Sequence, residues 1–479
     1  MATVDSKRAS LSSDINDPGV YWRLLKIASC IAVPLCVWLA PLSIQPNTRV
    51  ALTISAFMIV AWMTEIMEYA AAGLIGLLLF WYFGAAEPAV IFSGFVSDAS
   101  WFYLGAMLIG AMATKSGLPQ KIGNWVVSNV GVTYSRLVLG VIIIDFLLTF
   151  IVPSGAAVLV VMASIAMGIV NIFGAKKGSN IGRGLFLVIT YTTSIFNKMI
   201  IAGTAAIIAR SIIESSGGVA ISWALWFAAF LPCAIVTIFA SWWLTLKLFP
   251  PETENLAGRE QELALHFRTK TPWTPLGIKS ALLCGLALAL WLTDWLHHIP
   301  PSIVAFGVGL VAFLPFVEVL DEHDFRRLNL LPFFFVAAAL GMGEVLKVTG
   351  GLTILTDTFV GGIAPFLSDQ STAVGALYWG GFLYHFVTAS EISMLATSLP
   401  ILMEFAKTNN LDPAWIGMIW SFASGGKLFA YQSAILVLGY SYGYFQHTDL
   451  IKIGAILTIL EFVVLAVSVA FYWPLLGLG

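Results

Sequence analysis

Charge is scarce in this chain. Only 10% of its 479 residues are Asp, Glu, Lys or Arg, against 59% hydrophobic, and the mean hydropathy is +0.90. A water-soluble domain is not built on so few charges, so the composition points to a polytopic membrane protein. The net charge of −2 offers no basic face, and no nucleic-acid partner is expected. Cysteine is scarce too. Cys30, Cys36, Cys233 and Cys284 all fall inside apolar runs, where a thiol packs as a small hydrophobe, so neither a disulfide framework nor a metal site is expected. The histidines are few and scattered, and H-E-x-x-H does not occur. An enzyme is therefore not expected, nor a resident cofactor.

What the chain has in quantity is long apolar segments. Residues 1–21, "MATVDSKRASLSSDINDPGVY", are polar and read as a disordered cytoplasmic tail. The apolar stretch after them is long enough to span rather than to be a signal h-region, so no cleaved signal is expected. A helix needs about 20 apolar residues to cross the hydrocarbon core. Runs near 22–42, 49–65, 69–87, 99–115, 183–214, 221–247, 277–295, 300–317, 329–347, 414–443 and 450–475 give eleven candidate spans. Two further segments, 136–173 and 371–406, are interrupted by "VPSGAA" and "VTASEIS". Non-helical backbone at membrane depth is tolerated only where it is buried in protein or lines a watery cavity. Both segments therefore read as re-entrant hairpins whose tips mark a site, the plainer alternative being two ordinary spans joined by a short turn.

Basic residues set the orientation. Lys7, Arg8, Arg23 and Lys26, the loop "GAKKGSNIGR" (174–183), the linker within 248–276 and "DEHDFRR" (321–327) fall on the cytoplasmic side. The N-terminus is then cytoplasmic and the C-terminus external in a multi-pass cell (inner) membrane protein, with the lipid bilayer as its medium.

The two halves echo one another. "AWMTE" (61–65) is answered by "LWLTD" (290–294), "KSGL" (115–118) by "KVTGGL" (347–352), and Ser154 by Ser390 at the interrupted tips. An odd number of spans separates the copies, so 22–247 and 277–479 are expected to be repeats of inverted topology, a recurrent design of secondary transporters with binding at the midplane. Chance similarity among apolar spans is the competing explanation. The expected fold is an all-α polytopic membrane protein of about eleven transmembrane helices plus two re-entrant hairpins.

The offset that carries Trp62 to Trp291 also carries Lys198 to Lys427. A lysine at the centre of a membrane helix costs about 2.5 to 3.5 kcal/mol on insertion scales, and such residues line bundle interiors. Each lies among small and polar residues that can unwind a helix, Ser194, Asn197, Gly203 and Thr204 in one case and Ser424, Gly425, Gly426, Gln432 and Ser433 in the other. Two such lysines would face one cavity and favour a small anion; alternatively each pairs with a carboxylate or snorkels to an interface. Glu391 has three readings: a structural partner of Lys427 or Lys198, a proton carrier, or part of a cation site. Burial opposes ionisation of a carboxyl and a neighbouring ammonium favours it. Asp145 and His385 lie in the hairpin arms without counterparts, and hydrogen bonding within the bundle suits the histidine. The second arm of each hairpin begins with unpaired N–H groups and a positive dipole end. Ser154, Gly155 and Ala156 at one tip, and Ser390, Glu391, Ile392 and Ser393 at the other, thus join the candidate substrate site. Phe196, Phe429 and Tyr431 read as packing, though an aromatic carboxylate would also use them.

The segments "AWMTEIMEYAAAGLIGLLLF", "FSGFVSDASWFYLGAMLIGAMATKSGL", "IVPSGAAVLVVMASI", "FVTASEISMLATSLPIL" and "AYQSAILVLGYSYGYFQHTDLIKIGAI" resemble the divalent anion/sodium symporter family of the ion transporter superfamily. The likeness runs from about Ala61 to the C-terminus and is closer to bacterial citrate, tartrate and 2-oxoglutarate carriers than to sodium-coupled succinate importers. It implies a homodimer, a scaffold domain and a transport domain moving as an elevator. In the family each tip carries Ser-Asn-Thr beside a sodium site; here those positions read Ser154-Gly155-Ala156 and Ser390-Glu391-Ile392. Only the serines match, which puts sodium as a cofactor in question. The expected function is secondary active transport of a di- or tricarboxylate-like anion, sodium-independent by exchange or proton coupling, with Lys198 and Lys427 as fixed counter-charges. A sodium-coupled carboxylate or sulfonate symporter is the alternative, and an anion channel the competing class.

Overall fold

The computed structural model describes residues 18–41, 43–131, 133–152, 154–201, 203–252, 273–362, 364–367, 369–388 and 390–478, and among these the chain is helical throughout its regular elements. In chain order the longer helices are α1 (Pro18–Leu39), α2 (Pro46–Thr64), α3 (Tyr69–Tyr82), α4 (Asp98–Lys115), α5 (Leu118–Val130), α6 (Tyr134–Thr149), α7 (Gly155–Ile172), α8 (Asn180–Met199), α9 (Thr204–Gly217) and α10 (Trp223–Leu248). There follow α11 (Pro275–Leu292), α12 (Pro301–Val311), α13 (Leu331–Val348), α14 (Gly351–Val360), α15 (Gln370–Val387), α16 (Glu391–Thr408), α17 (Pro413–Ala423), α18 (Ala434–Ser441) and α19 (His447–Val467).

Each apolar run of the sequence contains helix, though 183–214 and 414–443 are each broken between two helices. Seven helical stretches among the described residues are long and apolar enough to cross a membrane, by length and composition: Tyr21–Leu39, Gly155–Ile172, Asn180–Gly217, Trp223–Leu248, Pro275–Leu292, Leu331–Val348 and His447–Leu476. Two boundaries differ from expectation. Helix α1 starts at Pro18, a residue pre-set for a first helical turn, so residues 18–21 are helix and not tail, while 1–17 lie outside the described residues, as does linker 253–272. The run 300–317 is helical only to Val311; Val319 and Leu320 then fold back so that both their N–H groups bond the Ala312 carbonyl.

The described residues form two compact units. In one, built from the chain up to Phe95 and Leu331–Leu355, Trp62 is wholly buried at the end of α2. Its Nε1 donates to the Tyr69 carbonyl at 3.0 Å and its ring meets Phe335 edge-on at 5.1 Å. Gly73 of α3 lies so near Ala338 of α13 that an added Cβ would come within 2.6 Å of its methyl. In the other unit the matching residue Trp291, at the end of α11, donates to the Pro301 carbonyl at 3.1 Å and meets Phe102 edge-on at 6.0 Å. Gly105 of α4 there approaches the Phe306 backbone of α12 to 2.4 Å from the Cβ it lacks. The same local device thus closes both Trp-x-Thr-acid turns.

The second unit holds every interruption that the sequence flagged. Helix α6 ends at Thr149 and α7 begins at Gly155, and α15 ends at Val387 and α16 begins at Glu391, each returning arm with its serine as N-cap. Helix α8 ends one residue after Lys198 and α9 begins at Thr204. Helix α17 ends at Ala423, and a loop with one 3-10 turn (Ala430–Gln432) precedes α18.

Candidate functional site

The two hairpin tips differ in exposure. Ser154 is exposed and its Oγ accepts from the Ala157 N–H at 3.3 Å, leaving the start of α7 open beside Ala156. Gly155 is buried, because a Cβ there would meet Ile435 Cδ1 at 2.4 Å and Asn197 Cγ at 3.6 Å, so this tip is wedged against α18 and the end of α8. At the other tip Ser390 is buried and its Oγ accepts from the Ser393 N–H at 3.2 Å; Glu391 is buried and Ile392 half-buried.

Lys427 lies in the interrupted stretch between α17 and α18. Its Nζ donates to Glu391 Oε2 at 2.5 Å and to Ser194 Oγ of α8 at 2.5 Å, and the pair is 1% and 6% exposed. Its own carbonyl accepts from the Tyr191 hydroxyl at 2.6 Å. Of the readings open for Glu391, the structure displays the pairing with Lys427.

Lys198 is buried in a different setting. Its Nζ donates to Glu461 Oε2 of α19 at 2.8 Å and to the Phe422 carbonyl at 3.0 Å, and lies 4.1 Å from the Phe422 ring centroid. The carbonyl belongs to the last turn of α17, where a cation also complements the negative dipole end. Gly425 makes room: a Cβ there would sit 1.3 Å from Nζ. The two lysines therefore do not point into one open cavity. Each reaches across to the other broken helix, Lys198 to α17 and Lys427 to α8, and each meets a carboxylate on arrival. Their four charges cancel.

The remaining predicted residues hold the breaks. Asn197 Oδ1 accepts from the Thr204 N–H at 2.8 Å, spanning the gap between α8 and α9, while Gly203 approaches the Asn197 carbonyl too closely for any side chain. Gln432 Oε1 accepts from the N–H groups of Leu428 and Phe429 at 2.8 and 2.9 Å; its Nε2 has no hydrogen-bond partner among the described residues. Ser433 is buried at the start of α18. His385 Nε2 lies 3.0 Å from the Gln432 carbonyl, and Asp145 accepts from Thr192 and Thr193 of α8 at 2.5 and 2.8 Å, so both do hydrogen-bond within the bundle. Phe196 is buried against Phe146, whereas Phe429 and Tyr431 stack at 5.8 Å with Tyr431 exposed. Among the described residues no three His, Cys, Asp or Glu side chains converge as a metal group would require.

Sequence reasoning missed Glu461. Its signal was present, a lone carboxylate in "ILTILEFVVLAV", but it has no counterpart in the first half and so escaped the repeat comparison. Nothing in the local sequence singled out Tyr191 or Trp226, whose Nε1 donates to the Lys198 carbonyl at 3.2 Å.

Known proteins carry this sequence pattern. The family profile described as "Sodium:sulfate symporter transmembrane region" matches residues 21–478. A protein of Cupriavidus necator named only as a membrane protein is 26% identical over 96% of this chain and 93% of its own length. The citrate/succinate antiporter of Escherichia coli is 25% identical over 81% of this chain and 80% of its own. A sodium-dependent dicarboxylate transporter of Staphylococcus saprophyticus is 23% identical over 81% and 80%. The chain belongs to the sodium:sulfate symporter transmembrane family, and is a multi-pass membrane transporter rather than an enzyme.

Proposed function

We propose that this chain carries small organic anions of the di- and tricarboxylate class without sodium, by exchange or proton coupling. The observation that supports this reading best is the Lys427 ammonium, held 2.5 Å from both Glu391 on the second hairpin tip and Ser194 on broken helix α8. A lysine side chain thus occupies the junction of tip and broken helix, where members of the resembled family bring a sodium ion. The exposed start of α7 at Ser154 and Ala156 offers N–H groups and a positive dipole end to a carboxylate. Relatives named as a citrate/succinate antiporter and a dicarboxylate transporter agree with the substrate class. In this reading the hairpins and broken helices ride as an elevator within a homodimer of inverted repeats, each protomer with eleven spans.

A second reading, sodium-coupled symport, draws on the first tip. The Lys198 ammonium turns toward Glu461, and Gly155 at the first tip meets Ile435 and Asn197, so among the described residues no ammonium is brought to that junction. Uptake of labelled succinate and citrate into liposomes containing the purified protein, with sodium or choline outside, separates the two. Equal uptake is expected. A sodium gradient that drives accumulation would select the second reading, and a current exceeding carrier rates would select a channel.

A further inference from the structure

An elevator crosses the membrane twice per cycle, once loaded and once empty, and an uncancelled charge in either state raises the barrier in a low-dielectric surround. The two buried pairs are unequal in this respect. Lys198 is saturated by Glu461, the Phe422 carbonyl and the Phe422 ring, and none of these sits on a hairpin tip. Glu391 is the first residue of α16, next to the Ser390 cap, and holds Lys427 through one carboxylate oxygen.

Resting on the carboxylate-carrier reading, we propose that Glu391 is a built-in stand-in for substrate. It neutralises Lys427 in the empty carrier, and it binds one proton when a substrate carboxylate takes its place on that ammonium. At the Lys427 ammonium charge balances in both states, with Glu391 carboxylate when empty and with one substrate carboxylate beside a neutral Glu391 acid when loaded; any second substrate carboxylate is an extra negative charge, which the dipole end at α7 offsets by about half. The proton comes from the loading side, forms an O–H bond on Glu391, and leaves to the receiving side as that carboxylate returns to Lys427. A second substrate carboxylate falls to the open start of α7. Net proton-coupled transport follows, since the empty carrier can return.

The other titratable groups around Glu391 are accounted for. Lys198 on α8 and Glu461 on α19 hold each other. On α15, His385 bonds the Gln432 carbonyl and Tyr384 bonds Thr397 of α16 at 2.9 Å. On α9, Arg210 and Glu214 pair at 2.7 Å toward the end where Gly217 meets Met403 of α16, and α17 carries no titratable side chain.

The variant Glu391→Gln imitates the protonated acid and leaves Lys427 unpaired when the site is empty. In liposomes, exchange of external labelled succinate for internal unlabelled succinate should lose its pH dependence and should fall far less than net uptake does. Net uptake into succinate-free liposomes should fall by roughly a hundredfold, the size of effect expected of an unpaired buried charge. Net uptake at the parent rate, or exchange lost together with net uptake in a variant that elutes as the parent does, overturns the proposal. If the variant does not fold, the parent decides: a pH dye inside the liposomes must acidify during net succinate uptake and stay constant during one-for-one exchange, and uptake without acidification overturns it. A parent that neither exchanges nor accumulates succinate or citrate would instead refute the carboxylate-carrier reading itself.

Discussion

Gly425 shows how closely single residues are fitted around the buried charges. Because a Cβ there would sit 1.3 Å from the Lys198 ammonium, Gly425→Ala must drive the lysine off Glu461 and the Phe422 carbonyl. A loss of about 3 kcal/mol combines overpacking with an unpaired buried charge; thermal unfolding in detergent measures it, and an unchanged midpoint would mean that the lysine has another resting place. Glu461→Gln strands Lys198 and should cost about 3 to 5 kcal/mol, whereas Lys198→Met with Glu461→Leu should recover most of it, because an apolar replacement of a whole buried pair is often neutral. At this scale the lysines were legible, since a charge in an apolar run stands out by itself. Of their partners Glu391 was legible as the acid at the second tip, but Lys198 finds Glu461 and Lys427 finds Ser194 only through contacts more than two hundred residues apart in sequence, and no local pattern encodes those.

Elements were more legible than contacts. Small and polar residues interrupting an apolar run located both hairpin tips, and in each the serine became the N-cap of the returning arm, as its hydroxyl chemistry favours. Helix lengths were less so: α12 stops at Val311 although apolar residues continue, because the chain turns there to bring Val319 and Leu320 onto the Ala312 carbonyl. The shared Trp-x-Thr-acid turn gives a matched pair of experiments. Trp62→Phe and Trp291→Phe each remove one buried N–H donor from a carbonyl, of Tyr69 and of Pro301. Each should cost about 1 to 2 kcal/mol. A large effect at one site and none at the other would show that the likeness is local and not a property of two repeats.

The whole molecule divides in a way that chain order hides, since Leu331–Leu355 belongs with the N-terminal helices rather than with the half that follows it. The orientation expected from the basic residues is testable: a single cysteine placed near the C-terminus should react with an impermeant maleimide on intact cells and one near the N-terminus only after permeabilisation, and the reverse pattern would invert the topology. Away from the apolar segments, Lys115 bonds the exposed Asp321 at 2.9 Å and holds its carboxyl down to about 2. With the folded value below the ordinary carboxylate range, this contact contributes fully above about pH 4 and is lost as pH falls toward 2. Lys115→Ala should return the Asp321 titration, followed by carbon NMR, toward its ordinary value.

The crossed reach of the two lysines also limits how the molecule can move. Lys198 ties α8 to the end of α17, and Lys427 ties the stretch after α17 back to α8. Two such ties running in opposite directions remove the freedom of one broken helix to slide along the other, much as two diagonal struts stiffen a frame. Hairpin α15–α16 meets this frame through the charged Glu391–Lys427 pair and through neutral bonds, His385 to the Gln432 carbonyl and the Trp420 indole to Ser398. Any displacement of the second hairpin from this frame must therefore exchange the Glu391–Lys427 pair for another partner as well as break those neutral bonds.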